Sequence, residues 1–172
     1  KIIVWNLASN KSSVLYKSGN SVITVLDYNN TGNRIAFGNK AGTLGVLNLN
    51  TNRVSRIKGH AARITDLQFS PDNKLLATGS YDGTIKIWSA NDLNIRPVTI
   101  KGHEAWALSL AFNRNGKFLV TGDNAEKIFV WASKTDYLAE EICSKINRNM
   151  TRREWQNNVG YDINYQKTCA NK

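Results

Sequence analysis

Apolar residues recur at every second position over short runs of this chain, and clusters of turn residues separate the runs. Val54 to Lys58 alternates in this way. Ile64-Thr65-Asp66-Leu67-Gln68-Phe69 follows, which places Ile64 on one side and Leu67 and Phe69 on the other. Ser70-Pro71-Asp72-Asn73 is a strong turn, because Pro presets its φ and Asp and Asn bond their own backbone. Lys74 to Ser80 reads as the next strand, Tyr81-Asp82-Gly83 as a hairpin turn and Thr84 to Trp88 as the last strand. The pattern predicts four short antiparallel strands in one small sheet.

That unit repeats. Lys58-Gly59-His60 and Lys101-Gly102-His103 stand 43 residues apart, and Trp88 and Trp131 are separated by the same 43. In the following repeat Leu110 and Phe112 replace Leu67 and Phe69, Asn113-Arg114-Asn115-Gly116 is the turn, and Lys127 to Trp131 is the last strand. The preceding repeat aligns at an offset of 41. Leu26 and Tyr28 hold its core positions and Thr31-Gly32-Asn33 its turn, but Gly19, Ala41 and Leu47 stand where His60, Asp82 and Trp88 do. Its hydrophobic pattern survives and its polar signature is gone. Lys1 to Trp5 aligns with Thr84 to Trp88, as a last strand standing alone. A fixed period of this size marks an array of stacked sheet units.

With Gly-His at one end of each unit and a Trp-closed strand at the other, the chain resembles the WD-repeat β-propeller family. The resemblance implies an all-β fold of three four-stranded antiparallel blades, with a short α-helical C-terminal extension. On this reading residues 1–5 are the last strand of a truncated preceding blade and 6–47 a degenerate blade. Residues 48–88 are a complete blade, 89–134 the last blade and 135–172 the extension. The family's tetrad of His, Ser or Thr, Asp and Trp is matched by His60, Thr78 (or Ser80), Asp82 and Trp88. The next blade offers His103, Thr121 and Trp131, with Ala125 at the Asp position and Asp123 displaced by two. An imidazole between a buried carboxylate and a hydroxyl satisfies groups that are otherwise costly to bury. Both histidines are thereby assigned to structure rather than to catalysis or metal binding. A ring needs four to eight blades. The other blades are expected from the rest of a longer polypeptide, whose tail this chain resembles, or from a second copy.

From Asp136 the period changes. Apolar residues at Leu138, Ala139, Ile142 and Ile146 make one face of a helix. Thr151-Arg152-Arg153-Glu154 reads as a capping box that opens a second helix, with Trp155 and Val159 inward and Gly160 at its end. The spacing of Cys143, Asn149, Met150, Thr151, Glu154 and Trp155, followed by Tyr165 and Thr168-Cys169, resembles the tail of bacterial multidomain WD-repeat proteins. Such relatives carry an amino-terminal protease-like or nucleotide-binding signalling module, which implies a regulatory role in a bacterial cytoplasm.

Composition changes this picture little. The chain has 172 residues, 41% of them hydrophobic and 21% charged, which suits a folded domain. No apolar run approaches membrane-span length, the longest being strand-sized such as Ile2-Ile3-Val4-Trp5. A net charge of +10 invites nucleic-acid binding, but the basic residues are spread and form no block or aromatic-interleaved stripe. Two cysteines are too few for a disulfide scaffold. Two thiols in a reducing compartment are the expectation, and a Cys143–Cys169 disulfide is the alternative.

There is no Gly-rich phosphate loop, no metal cluster and no nucleophile beside a base, so no enzyme, cofactor or metal is expected. Loop positions that vary between repeats are the candidates for a partner face. Before the inner strand these are Val22, Arg63 and Trp106, and in the hairpin they are Lys40, Tyr81 and Asn124. Arg, Tyr and Trp are typical interface anchors, while Trp106 tucked against its own blade is the competing reading. Lys17, Lys58 and Lys101 recur at one position, either as an arc for an anionic partner or as guards of an outer edge. The function read from these residues is a non-catalytic protein-interaction or sensing scaffold. Nucleic-acid or anionic-ligand binding is the alternative, as is a part of a propeller whose enzymatic residues lie elsewhere.

Overall fold

The computed structural model describes residues 1–158, 164–167 and 169. The expected positions of Val159, Gly160 and Thr168 lie outside the described residues. The chain divides into two units, Lys1–Trp131 and Ala132–Lys172.

The first unit is built of strands alone. A two-stranded ribbon pairs β1 (Ile2–Asn6) with β2 (Lys11–Tyr16). One four-stranded antiparallel sheet runs β3 (Ile23–Tyr28), β4 (Arg34–Asn39), β5 (Thr43–Asn48), β6 (Arg53–Lys58). A second runs β7 (Ile64–Phe69), β8 (Leu75–Ser80), β9 (Thr84–Ser89), β10 (Val98–Lys101). A third has the three strands β11 (Ala107–Phe112), β12 (Phe118–Asp123) and β13 (Ile128–Ala132). Each sheet is offset by one strand from the sequence repeat. Strand β6 was expected in the repeat that contains β7, yet it pairs with β5 of the sheet before. The reason is local. Asn48 Oδ1 accepts the amides of Asn50 and Thr51, and Asn52 adopts a φ of 54°, which closes a tight turn that makes β5 and β6 neighbours.

Three core clusters lie between successive sheets. Ile64, Leu67 and Phe69 of β7 pack with Ala36, Leu44 and Val46 of the sheet before. Strict alternation had separated Ile64 from Leu67 and Phe69. The pairing of β7 with β8 shifts register between Ile64 and Asp66, and this bulge turns all three toward one core. Strands β3 and β11 carry the same irregularity at the same place.

Polar groups on the inner strands tie each sheet to the next. Thr24 Oγ1 donates to Ile64 O at 2.6 Å and Thr65 Oγ1 to Ala107 O at 2.5 Å. Asp27 accepts the amide of Phe69, and Asp66 and Gln68 accept those of Leu110 and Phe112. The hairpin glycines bring the loops together. Gly42 has a φ of +80°, and a Cβ there would lie 2.3 Å from His60 O; Gly83 has a φ of +75°, with His103 O at 3.2 Å. The third hairpin holds Glu126 in the same left-handed conformation, at a φ of 62°.

In the second unit, α1 spans Thr135–Lys145 and α2 spans Arg152–Asn158. The capping box forms: Glu154 accepts the Thr151 amide at 2.7 Å, and Thr151 Oγ1 accepts the Glu154 amide at 3.2 Å. Arg148 grips Glu154 through two bonds of 2.7 Å, and together with Thr151 it holds that carboxyl down at about 2. The expectation of two free thiols is overturned, because Cys143 and Cys169 form a disulfide with their Cα atoms 5.6 Å apart. Asn149 sets this geometry by pairing its side-chain amide with the backbone of Cys169, two bonds of 2.8 Å. Tyr165 donates to Met150 O and meets Trp155 edge to face. The residues of the tail motif are therefore brought together around this crosslink. Leu138 and Ile142 of the predicted apolar face are 41% and 54% exposed.

A left-handed conformation costs a non-glycine residue about 1–2 kcal/mol, part of which glycine returns through unfolded-chain entropy. Glu126→Gly should therefore raise the unfolding free energy by about 0.5–1 kcal/mol. Gly83→Ala should lower it. Denaturant melts of both variants test the pair.

Candidate partner-binding site

The face in question is formed by the loops that enter the inner strands and by the hairpins between the second and third strands. The middle sheet shows how it is held rigid. His60 Nδ1 donates to Asp82 Oδ2 at 3.0 Å, Thr78 Oγ1 donates to His60 Nε2 at 2.7 Å, and Trp88 Nε1 donates to Thr78 Oγ1 at 2.9 Å. Thr78, not Ser80, is the hydroxyl member; Ser80 Oγ instead accepts the Asp82 amide. Asp82 also accepts the amides of Ala61 and Thr84, so one carboxylate fixes both the loop and the hairpin. The glycine of each Gly-His pair makes room for the indole. A Cβ on Gly59 would lie 3.2 Å from Trp88, and one on Gly102 would lie 2.8 Å from Trp131.

The last sheet assembles the same network by another route. His103 Nδ1 meets Asp123 Oδ2 at 2.9 Å, its Nε2 meets Thr121 Oγ1 at 2.9 Å, and Trp131 Nε1 donates to Thr121 at 2.8 Å. Asp123 occupies the position of Ser80. Its second oxygen accepts the amides of Ala125 and Lys127, which turns the carboxylate toward the imidazole. In the degenerate blade, Phe37 stands at the Thr78 position, fully buried over Gly45 and 4.7 Å from the Tyr16 ring. No reading of the sequence had named Phe37, although a bulky aromatic residue opposite Gly45 was the available signal.

Upon this frame the candidate residues fall into place pairwise. In each blade the loop residue and the hairpin residue share a backbone bond: Lys40 with Val22, Tyr81 with Arg63, Asn124 with Trp106. Asn124 Oδ1 accepts the Trp106 amide in addition. Across blades, Trp106 stacks on Tyr81 with ring centroids 4.6 Å apart and planes at 23°. Arg63 lies over the Tyr81 ring at 5.7 Å. Trp106 thus leans on the neighbouring blade rather than tucking against its own, and it remains 50% exposed. Beside the stack is a concavity of about 280 Å³ lined by Tyr81, Gly83, Glu104, Trp106 and Asn124. The Lys40 side chain makes no hydrogen bond or ion pair with the described residues, and nothing joins it to the stack. Lys58, one of the three repeated lysines, donates its Nζ to Ala41 O.

Both imidazoles are occupied by these networks, and among the described residues no group of three His, Cys, Asp or Glu is placed to hold a metal ion. No helix among the described residues is long and apolar enough to cross a membrane.

Burial lowers the His60 pKa below its ordinary 6.5, outweighing the attraction of Asp82. The folded state therefore favours a neutral ring. Above pH 6.5 both states are neutral and the contribution to stability is complete. As the pH falls below that value the unfolded chain takes up the proton first, and stability is lost toward the lowered folded-state pKa. The unfolding midpoint should fall over this interval, with a shallower slope in His60→Gln, which is less stable throughout. Thr78→Val leaves Trp88 Nε1 and His60 without their shared partner and should cost about 2–4 kcal/mol. Chemical denaturation across pH values measures both effects.

Two segments, residues 51–89 and 96–132, match the family model "WD domain, G-beta repeat". The chain is similar to "WD repeat-containing protein SL1-17" of Schistosoma mansoni, at 36% identity over 67 residues, which covers 39% of this chain and 22% of that protein. It is also similar to "Polyadenylation factor subunit 2" of Candida albicans, at 29% identity over 89 residues, covering 52% of this chain and 16% of that protein. The match thus spans less than a quarter of either relative. Among solved structures, a chain of the "Crystal Structure of Mitotic Checkpoint Complex" superposes with a TM-score of 0.69 at 22% identity, covering 76% of this chain and 40% of that one. The shared repeats, the tetrads at their cores and the stacked antiparallel sheets lead to one assignment: residues 51–89 and 96–132 are WD repeats, and the strands have the fold of β-propeller blades.

Proposed function

We propose that this chain is a non-catalytic interaction module that binds a protein partner through Arg63, Tyr81 and Trp106, with Asn124 and Lys40 at the margins. The observation that carries this is the exposed stack of Trp106 on Tyr81, braced by Arg63 and spanning two blades. A large aromatic surface held in one orientation loses little freedom on binding, which is why Trp, Tyr and Arg dominate interface energetics. Propellers of this family generally act as protein-interaction scaffolds, and the surface fits that use.

The setting is a regulatory one in this proposal. Support comes from the tail, whose motif resembles that of bacterial multidomain signalling proteins with an effector module elsewhere in the chain; the two relatives named above are eukaryotic. The remaining blades of a parent propeller, or a second copy, would cover the open side of the last sheet. Ile128 and Val130 there are 75% and 64% exposed on β13, a strand that pairs on one side only among the described residues.

A peptide-display selection against the folded chain tests the site. Peptides selected by the wild type should lose about 30-fold or more in affinity for Trp106→Ala, and further for the triple alanine variant of Arg63, Tyr81 and Trp106. Equal binding by a folded triple variant would sink the assignment. Saturable oligonucleotide binding at moderate salt, without peptide selection, would favour the nucleic-acid reading.

A further inference from the structure

The opposite rim of the blades carries a second concavity, built from residues at the far ends of the same strands. It has a volume of about 310 Å³ and lies between the outer part of the β3–β6 sheet and the segment 90–94 that leaves β9. This is the lower end of the range for small-ligand sites. Strand register builds its charged wall. Arg34 of β4 faces Asn48 of β5, and Asn48 faces Arg53 of β6, so two arginines flank one asparagine in a single row. Neighbouring strands lie about 4.8 Å apart, which puts the two arginine stems about 10 Å from each other, a span that two guanidinium groups close around one guest. Arg56 is three positions from Arg53 along β6, so alternation directs its side chain to the other face of the sheet, where Nη1 donates to the Tyr16 hydroxyl at 3.3 Å.

Neither Arg34 nor Arg53 has a carboxylate partner among the described residues. Arg34 Nη1 donates to two neutral groups, Ala90 O and Asn91 Oδ1, both at 2.9 Å. The Arg53 side chain makes no hydrogen bond or ion pair with any described residue. The one acid in the lining, Asp92, turns away into its own loop, where Oδ1 accepts the backbone and side-chain N–H groups of Asn94 at 2.9 and 3.0 Å. Like charges held side by side on a sheet destabilise it unless something neutralises them. The planar guanidinium fork matches the oxygens of an oxyanion, two at a time. Two forks and the Thr51 and Ser55 hydroxyls offer more donors than the two oxygens of a carboxylate guest take up and suit the three terminal oxygens of a phosphate monoester, while Val46, Ala90 and Leu93 form a buried apolar floor.

We propose that this groove is a binding site for a phosphate monoester, gripped by Arg34 and Arg53. The phosphate is carried either by a free small molecule or by a phosphorylated side chain of a protein partner. The site is separate from the Trp106 face and does not depend on the reading of that face.

The test follows the arginine Nε–H signals of the 172-residue chain by NMR during titration with inorganic phosphate, O-phosphoserine, an acetyl-Gly-phosphoserine-Gly peptide and its unphosphorylated counterpart. Saturable shifts confined to Arg34 and Arg53, absent with the unphosphorylated peptide, are expected. Arg53→Gln should weaken binding at least tenfold, and Arg56→Gln, on the other face of the sheet, should leave it unchanged. Tighter binding of the phosphopeptide than of phosphate or O-phosphoserine assigns the site to a protein partner; the reverse order assigns it to a small phosphorylated molecule. Three results would overturn the proposal: shifts spread over all arginines without saturation, wild-type affinity in Arg53→Gln, or a response to a single-stranded oligonucleotide with none to the phosphate compounds.

Discussion

One buried hydroxyl holds the best-formed blade together. Thr78 Oγ1 receives the indole N–H of Trp88 and gives its own proton to His60, whose other nitrogen is committed to Asp82. Such an arrangement is stable only when every member is satisfied, because each unpaired group would bear its full desolvation cost in the interior. Among the described residues no buried side-chain nitrogen or oxygen lacks a partner. The network links a loop, a hairpin and two strands that hydrophobic packing alone would leave free to slide. The partner face is its consequence. Asp82 fixes the hairpin that presents Tyr81, Asp123 fixes the one that presents Asn124, and Gly83 lets the loop carrying Trp106 come close enough to stack.

The degenerate blade shows that the polar solution is not the only one. Phe37, Leu47 and Tyr16 fill the volume that elsewhere holds a hydroxyl, an indole and an outer aliphatic side chain, and Gly19 replaces the histidine. Exchanging a satisfied buried network for well-packed apolar side chains is often neutral in stability. The hairpin cap is the part retained, since Asn39 accepts the amides of Ala41 and Thr43 much as Asp123 accepts those of Ala125 and Lys127. Blade geometry therefore tolerates two chemistries in its interior, provided that the turns are still held.

The two rims of the blades differ in kind. One presents aromatic surface on a rigid hydrogen-bonded base, which fits recognition by shape and burial. The other sets Arg34 and Arg53 in one row beside a single acid, Asp92, which fits recognition by charge. The inner-strand ties explain why successive blades stay in register between these rims: Thr24 and Thr65, Asp27 and Gln68 reach across at equivalent positions. In the last blade Leu108 and Ala111 take those places, so its outer flank carries neither tie.

How much of this was legible in advance depends on the range of each interaction. Alternation and turn chemistry are local, so the strands, the hairpins, the capping box at Thr151 and the repeat itself could be read from the residues in order. The Gly-His and Trp positions pointed to the tetrad of the middle blade, because in a repeat the same side chains meet at the same spacing. Other features depend on contacts between residues far apart in the chain. The displaced Asp123 completes its tetrad only because hairpin geometry swings it toward His103. The bulge at Ile64–Asp66 overrides strict alternation, the tight turn at Asn48 hands β6 to the earlier sheet, and the Cys143–Cys169 bond needs Asn149 to bring the two ends together. The sequence by itself determined which elements form and what kind of sheet they make, since those choices rest on backbone preference and local polarity. Only the tertiary structure decided which side chains share a surface, because the stack of Tyr81 on Trp106 and the row of Arg34, Asn48 and Arg53 exist through strand register and blade packing.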